Sequence, residues 1–195
     1  AYAYSINKNI ELFLYYVVLF FLGAVLMRSA GCIVNDMVDR KLDKKVNRTK
    51  NRPLAANLIS VMTASFYVLM LCGLAFFILI KFNFLTILLG IASMSFAFSY
   101  PFMKRITYWP QLFLGLTFNW GIIMAWASLT NEVSLEPILL YIGAIFWTLG
   151  YDTIYGAQDM IDDEIIGIKS TAIKFKTDIK LFVFISYFVT FLCFM

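Results

Sequence analysis

Histidine is absent from this sequence of 195 residues, so the commonest general base and transition-metal ligand in proteins is missing. Charged residues are also scarce, at 14% of the chain. The three cysteines, Cys32, Cys72 and Cys193, have no metal-ligand spacing, and each falls in an apolar stretch where a small apolar residue is the simplest interpretation. Any metal that this chain binds therefore needs oxygen ligands.

Hydrophobic residues are abundant. They make up 62% of the chain, with a mean hydropathy of +0.81, whereas about half is usual in water-soluble domains. A spanning helix needs about 20 mostly apolar residues. We therefore predict an all-α, polytopic membrane helical bundle in a single integral-membrane domain, residues 1–195. About six spans are predicted, the last of them short: Leu12–Val34, Leu58–Ile80, Phe82–Met103, Ile106–Thr130, Pro137–Gln158 and Leu181–Met195.

The basic residues are distributed unevenly between the two sides of the membrane. Thirteen of the sixteen Lys and Arg follow the first, third or fifth predicted span, and the opposite side has only Lys8 and Lys81. Because cytoplasmic loops carry the excess of Lys and Arg, we predict that the basic face is cytoplasmic. No signal or transit peptide is visible, so we expect the helices themselves to direct insertion.

An acidic cluster follows the first predicted span. Its sequence is Asn35-Asp36-Met37-Val38-Asp39-Arg40-Lys41-Leu42-Asp43. If the helix continues beyond the span, Asn35, Asp39 and Asp43 recur every four residues and form one stripe on its surface. Their side-chain oxygens would then converge.

A second acidic cluster, Gln158-Asp159-Met160-Ile161-Asp162-Asp163, ends the fifth predicted span. On a continuous helix Asp152, Asp159 and Asp163 lie within about 20° of a common direction, with Tyr155 beside them. The alternation of the helices places both clusters on the basic face. Like charges at this spacing repel one another, which favours bound divalent cations. Oxygen ligands without His or suitable Cys indicate Mg²⁺, which commonly bridges carboxylates to phosphate oxygens.

Basic side chains near the acids are candidates for binding a phosphate. Arg28 lies inside the first predicted span, and Lys104 and Arg105 follow the third. Arginine presents a fork that matches phosphate oxygens, and an intramembrane Arg is by default a functional candidate. Alternatively, Arg28 could extend to the interface or pair with an aspartate, and the other basic loop residues could serve only to orient the chain.

Metal ions, basic groups and an apolar interior together suit a lipid-like diphosphate. The metal would stabilise the charge that develops on departing diphosphate, leaving an allylic carbocation. Water has to be excluded so that another nucleophile captures this cation, and an aromatic acceptor is the natural expectation.

Both clusters resemble the signatures of the UbiA-type family of intramembrane prenyltransferases, Asn35-Asp36-x-x-Asp39-x-x-x-Asp43 and Asp159-x-x-x-Asp163. The runs around them are similar to the family branch that acts on 4-hydroxybenzoate in ubiquinone synthesis. These runs are Met27-Arg28-Ser29-Ala30-Gly31-Cys32, Asn51-Arg52-Pro53-Leu54, Tyr100-Pro101-Phe102-Met103-Lys104-Arg105, Asp152-Thr153-Ile154-Tyr155 and Gly167-Ile168-Lys169-Ser170-Thr171-Ala172. The family bundle has nine helices, so we expect this sequence to be truncated at both ends.

The resemblance implies Mg²⁺-dependent transfer of a polyprenyl group from its diphosphate to the ring carbon ortho to the hydroxyl of 4-hydroxybenzoate, with release of diphosphate. The membrane would be a bacterial inner membrane or the mitochondrial inner membrane, with the site on the cytoplasmic or matrix side. Implied catalytic residues are Asp39, Asp43, Arg105, Asp159 and Asp163. Candidate substrate-binding residues are Arg28, Asn35, Lys104, Arg105, Asp152, Tyr155 and Lys169. Candidate metal ligands are Asn35, Asp36, Asp39, Asp43, Asp159 and Asp163. The expected partners are the two substrates and the lipid bilayer, with no nucleic acid and no inferable protein partner.

Three alternatives stay open. Another aromatic acceptor, such as a naphthoate or homogentisate, is possible because the metal motifs are shared within the family. The chain could also be an inactive remnant of such an enzyme. An ion-coupled transporter would use intramembrane carboxylates as relays, but the acids cluster at one mouth and no repeated pair of broken helices is evident.

Overall fold

The computed structural model describes residues 9–44 and 49–195, apart from the side chain of Asp162. Lys8, Lys45 and Arg48, which count among the basic residues above, lie outside the described residues. In the described ranges the chain forms helices and no strand, which confirms the all-α prediction. The helices there are α1 (Ile10–Asp43), α2 (Val61–Leu79), α3 (Phe84–Ile106), α4 (Pro110–Phe118), α5 (Gly121–Thr130), α6 (Leu135–Gln158), α7 (Met160–Ile166), α8 (Thr171–Lys174) and α9 (Ile179–Phe194).

Five described segments are long and apolar enough to cross a membrane. They are α1, α2, α3, α6 and the segment Pro110–Thr130, which contains α4 and α5. Helix α9 is apolar but has only 16 residues, in agreement with a short last span. The chain is therefore an integral membrane protein.

Helix α1 carries the first acidic cluster on its last turns. The Asn9 side chain caps its N-terminus by accepting a hydrogen bond from the Leu12 N–H at 3.1 Å. Arg40 and Lys41 lie in the last turn, where cations complement the negative end of the helix dipole. The helix has 34 residues, or about 51 Å at 1.5 Å per residue. The expected continuation of this helix through Asp43 is therefore confirmed.

The described residues form two compact units. The first comprises the chain up to Ile91 together with Met124–Glu132, and the second comprises Ala92–Ile123 and Val133–Met195. In the first unit α1 packs along α2. The ring of Phe82 stacks on that of Tyr16, with 5.5 Å between the ring centroids, and Asn83 donates a hydrogen bond to the Ala127 carbonyl at 2.7 Å.

In the second unit α6 packs against both α4 and α9. Glycines make these close approaches possible, since a Cβ at Gly115 would lie 3.1 Å from the Ile145 carbonyl oxygen, and one at Gly143 would collide with Phe194. Hydroxyl groups reinforce the contacts. The Tyr141 hydroxyl donates to the Leu116 carbonyl at 2.7 Å, so a polar atom inside the apolar layer is satisfied.

Two elements differ from the sequence prediction. The span predicted as Ile106–Thr130 is divided into α4 and α5 at Asn119, whose side-chain amide donates to the carbonyl oxygens of Gly115 and Ala144. Helix α3, in contrast, continues through Pro101 to Ile106, so Lys104 and Arg105 lie in its last turn rather than in a loop. Cations are favourable at that end of a helix because its free carbonyl groups carry partial negative charge.

Candidate functional site

The first acidic motif lies in the first unit, on the C-terminal turns of α1. Asp39 is 1% exposed and Asp43 is 8% exposed, whereas Asn35 and Asp36 are half-buried. Asn35 forms a side-chain hydrogen bond with Asp36. Because Asp36 and Asp43 are seven residues apart, almost two full turns, they project from nearly the same side of the helix.

A single arginine joins two of these carboxylates. Arg52 Nη1 lies 2.8 Å from Asp36 Oδ1 and 3.3 Å from Asp43 Oδ2. The loop that carries Arg52 is attached to the end of α1, since the Thr49 hydroxyl donates to the Asp43 carbonyl oxygen at 3.2 Å. Arg52 appeared in the sequence only as part of a family-like run. A basic residue shortly after an acidic motif was the signal that could have identified it as the partner of these acids.

The second acidic motif follows α6 in the second unit. Helix α6 ends at Gln158, Asp159 lies between the helices, and Asp163 is on α7. The Asp163 N–H still donates to the Asp159 carbonyl oxygen at 2.9 Å, so the two residues remain one helical turn apart. The continuous helix assumed for Asp152, Asp159 and Asp163 is therefore wrong, because it is interrupted directly after Gln158.

Gly167 directly follows the last residue of helix α7, Ile166, and has a φ of 75°. This left-handed conformation favours glycine, and it lets the Ile168 N–H return to the Asp163 carbonyl oxygen at 2.9 Å. The turn directs the next residues, Ile168 and Lys169, toward the end of α3. Asp163 is thus connected by its own backbone to the segment that carries Lys169.

Lys169 contacts the end of α3 through two groups. Its N–H donates to the Lys104 carbonyl at 2.8 Å, and its ammonium donates to the Ile106 carbonyl at 3.1 Å. The ammonium also lies 5.6 Å from the ring centroid of Tyr108. Lys169, which is predicted to bind substrate, therefore caps the C-terminus of α3 in this structure. It holds the turn that carries Lys104 and Arg105.

A buried polar cluster holds the start of α8. The Gln111 side-chain oxygen accepts from the Thr171 N–H at 3.0 Å, and the hydroxyl groups of Thr153 and Thr171 are 2.6 Å apart. Both threonines are 0% exposed, and Gln111 is 6% exposed. Thr153 also donates to the Leu149 carbonyl at 2.6 Å. Sequence reasoning missed this cluster because its members are far apart along the chain and are polar residues of ordinary type.

Three other residues that are predicted to bind substrate lie on helices, and their side chains differ in exposure. Arg28 is exposed on α1, Asp152 is half-buried on α6, and Tyr155 is 64% exposed. The ring of Tyr155 meets that of Tyr151 edge to face at 6.4 Å between centroids. Arg105 is exposed and Lys104 is half-buried.

The donor chemistry of the first motif fits a hard divalent cation. The carboxylates of Asp36 and Asp43 already share one positive group, the Arg52 guanidinium. The side chains of this motif offer oxygen atoms as metal ligands, which Mg²⁺ prefers. Within the described residues, no three His, Cys, Asp or Glu side chains are gathered into a metal-binding group.

Known proteins with similar sequences carry prenyltransferase names. The chain is 50% identical over 167 residues to the mitochondrial 4-hydroxybenzoate polyprenyltransferase of Bos taurus, covering 85% of this chain and 45% of that protein. It is 50% identical over 166 residues to the 4-hydroxybenzoate octaprenyltransferase of Vibrio atlanticus (strain LGP32), covering 85% and 58%. The chain thus spans about half the length of these curated relatives.

Solved structures show the same fold. The apo structure of a UbiA homolog from Aeropyrum pernix K1 matches with a TM-score of 0.81 and 25% identity, covering 91% of this chain and 68% of that one. A UbiA homolog from Archaeoglobus fulgidus, bound to GPP and Mg²⁺, matches with a TM-score of 0.71 and 18% identity, covering 90% and 62%. The model of the UbiA prenyltransferase family matches residues 1–195. This chain therefore belongs to the UbiA prenyltransferase family.

Proposed function

We propose that this chain transfers a polyprenyl group from an allylic polyprenyl diphosphate to the ring carbon ortho to the hydroxyl of 4-hydroxybenzoate, as a step of ubiquinone synthesis. The observation that carries this proposal is the pair of acidic motifs together with the 4-hydroxybenzoate-type runs around them. Relatives that are 45–50% identical to this chain and are named for that acceptor support the choice.

The proposed cofactor is Mg²⁺, held by oxygen ligands from Asn35, Asp36, Asp39 and Asp43 in the first motif and from Asp159 and Asp163 in the second. When bound, the ion would neutralise the diphosphate and stabilise the charge on this leaving group. The donor set of the first motif supports this assignment. So does the ligand pair, GPP and Mg²⁺, of the Archaeoglobus fulgidus homolog with the same fold.

The basic pair Lys104 and Arg105 is proposed to bind the diphosphate or the acceptor carboxylate. Two cations in the last turn of α3 provide a fork and a point charge for anionic oxygens. Lys169 would act by holding this turn in place. Arg28, Asp152 and Tyr155 remain candidates for substrate contact.

The proposed reaction breaks the bond between the allylic carbon and the diphosphate oxygen. The ring carbon ortho to the phenol hydroxyl forms the new carbon–carbon bond and then loses its proton, which restores the aromatic ring. Apolar helix surfaces keep water from capturing the allylic cation first. We place the reaction at the basic face, which would be the cytoplasmic side of a bacterial inner membrane or the matrix side of the mitochondrial inner membrane.

The test is a prenyl-transfer assay in membranes that contain this chain. Labelled 4-hydroxybenzoate and a polyprenyl diphosphate are supplied with Mg²⁺ or with a chelator. The full-length Vibrio atlanticus relative serves as the positive control, and a naphthoate and homogentisate serve as competing acceptors.

Product that depends on Mg²⁺ and on 4-hydroxybenzoate is the expected result. Product with another acceptor would keep the prenyltransferase but change its substrate. If the inserted and folded chain gave no product with any acceptor while the relative was active, the proposed activity of this chain would be wrong.

A further inference from the structure

Arg52 occupies the position of a cation within the first acidic motif. One nitrogen, Nη1, contacts Asp36 Oδ1 at 2.8 Å and Asp43 Oδ2 at 3.3 Å. The Asp43 side chain is only 11% exposed and that of Asp36 is 27% exposed, so water screens these contacts less than it would at an open surface. The two carboxylates therefore already have a shared counter-ion that is part of the protein.

Arg52 contacts one oxygen of each carboxylate, Asp36 Oδ1 and Asp43 Oδ2, and an ionised carboxylate has two acceptor oxygens. Two carboxylates carry two negative charges, and Arg52 compensates one of them. A divalent ion placed between Asp36 and Asp43 would lie within a few ångström of the guanidinium, where like charges repel strongly. Occupancy by Arg52 therefore opposes occupancy by a divalent metal that lies between the same two carboxylates.

We propose that Arg52 is a positioning residue that holds Asp36 and Asp43 as a resident counter-cation, and that it competes with a divalent metal for these carboxylates, so that metal binding favours its displacement. The inference rests on the proposed function, which assigns this motif to a divalent metal. It adds a competition between a protein side chain and the metal for the same two groups.

The displacement requires movement of a side chain only. The backbone around Arg52 has its own hydrogen bonds, from the Arg52 N–H to the Thr49 carbonyl at 2.9 Å and from the Ala56 N–H to the Arg52 carbonyl at 2.8 Å. Leu54 and Ala55 are 5% and 3% exposed, so apolar burial also fixes this turn. The guanidinium, which is on a long flexible stem, can leave while its loop stays in place.

A direct test measures metal binding in the absence of diphosphate. The purified chain in detergent is titrated with Mn²⁺, the free ion is followed by electron paramagnetic resonance, and Mg²⁺ is used as the competitor. Arg52→Gln removes the resident charge, Arg52→Lys keeps it, and Lys44→Gln removes an equal charge from a side chain that bonds the Asn57 amide oxygen at 3.0 Å instead. Asp43→Asn tests whether binding is at the motif.

We expect Arg52→Gln to bind Mn²⁺ about tenfold more tightly than the unmodified chain, because the competing unit charge is lost. Arg52→Lys should stay within about twofold because it keeps a unit charge beside the two carboxylates. Lys44→Gln should also stay within about twofold because the Lys44 ammonium bonds the Asn57 amide oxygen. Equal or weaker binding by Arg52→Gln would overturn the competition, as would an equal gain in Lys44→Gln. Absence of Mn²⁺ binding in every variant would instead contradict the metal assignment of the proposed function.

A second measurement uses the unmodified chain and avoids any folding defect of a variant. Phenylglyoxal modifies accessible guanidinium groups, and mass spectrometry reports the rate at Arg52. Displacement predicts faster modification of Arg52 when Mg²⁺ is added. An unchanged or slower rate, with metal binding shown in the same sample, would overturn the proposal while leaving the metal site intact.

Discussion

Single residues of the two acidic motifs differ in their surroundings, and these differences guide mutagenesis. Asp39 is almost fully buried, whereas Asp36 and Asp43 share Arg52. Asp159 occupies the break between two helices. Because identical side chains lie in such different places, each has to be tested by its own substitution in the proposed metal-dependent reaction.

Asp39→Asn and Asp159→Asn should each lower prenyl transfer by about 100-fold or more at limiting Mg²⁺, because each change removes a carboxylate that is proposed to hold the metal at the leaving group. The assay is product formation as Mg²⁺ is varied. Glu164→Gln is the control, since Glu164 pairs with Lys176 at 2.8 Å and belongs to neither motif. Near-normal turnover of either Asp variant would remove that residue from the catalytic set.

Arg105→Ala should reduce transfer more than Lys44→Ala does. Arg105 offers a fork for anionic oxygens, whereas Lys44 donates to Asn57. The comparison is kcat/KM for the polyprenyl diphosphate, with about a tenfold larger loss expected for Arg105→Ala, as for one hydrogen bond to a charged group. Equal losses would mean that Arg105 contributes only to the charge of this face.

The acids of the candidate site are easier to pick out from the sequence than its cations. The acids stand out because carboxylates at regular spacing are rare in an apolar chain. That Lys169 binds substrate stays a prediction, whereas the sequence did not indicate that its ammonium donates to Ile106, 63 positions earlier. A contact over that separation depends on how helices pack, which no local pattern encodes.

At the scale of helices, apolar length predicted where most spans lie but not where they are interrupted. The break at Asn119 is stabilised by its side-chain amide, which donates to Gly115, Ala144 and Thr148. Ala144 and Thr148 lie on α6, so the side chain at the break is anchored to that helix. The segment Pro110–Thr130 is apolar throughout, so its hydropathy predicts one helix. The break depends on tertiary contacts of Asn119, which hydropathy does not report.

The buried hydroxyl pair in the second unit gives a prediction about stability. Thr153 donates to Leu149, so Thr171 donates to Thr153. Thr153→Val should lower the free energy of unfolding by about 1–3 kcal/mol, since the Thr171 hydroxyl loses its buried acceptor. The measurement is SDS-titrated unfolding in micelles. The double variant with Thr171→Val should cost less than the sum of the single variants, and strict additivity would show that the pair is not coupled.

Two glycines give a matched pair of substitutions. Gly115→Ala should destabilise the chain by about 1–3 kcal/mol through crowding, because its Cβ would meet the Ile145 backbone at 3.1 Å. Gly23→Ala has nothing within 4 Å and should be neutral or stabilising by up to about 1 kcal/mol, as alanine favours helix. Thermal unfolding followed by circular dichroism compares the two. The close approach of α4 and α6 would be refuted if both changes had the same sign.

At the scale of the whole molecule, composition and charge predicted a polytopic helical membrane protein, and the motifs predicted its family. Both predictions are confirmed by the helical segments and by the family match over residues 1–195. Helix content follows from hydrophobicity because a membrane allows few other ways to satisfy the backbone. The orientation of the chain stays a prediction, since it depends on a charge bias between loops.

Cysteine labelling tests that orientation. In a variant without the three native cysteines, single cysteines replace exposed residues in two loops of each predicted side. Asn57→Cys and Lys176→Cys should react with a membrane-impermeant maleimide from the cytoplasmic or matrix side. Lys81→Cys and Asn131→Cys should react from the opposite side. The reverse pattern would invert the predicted topology.

The length of helix α1 links the position of the first acidic motif to the thickness of the bilayer. The helix contains no proline and continues for 34 residues, about 51 Å, whereas the hydrocarbon layer is about 30 Å thick. A spanning helix adjusts its tilt to the thickness of the membrane. Since α1 runs unbroken into Asp36 and Asp43, any such tilt changes the height of these carboxylates above the hydrocarbon. Lipid chain length thereby becomes a determinant of how deeply the acidic motif is immersed in the headgroup region.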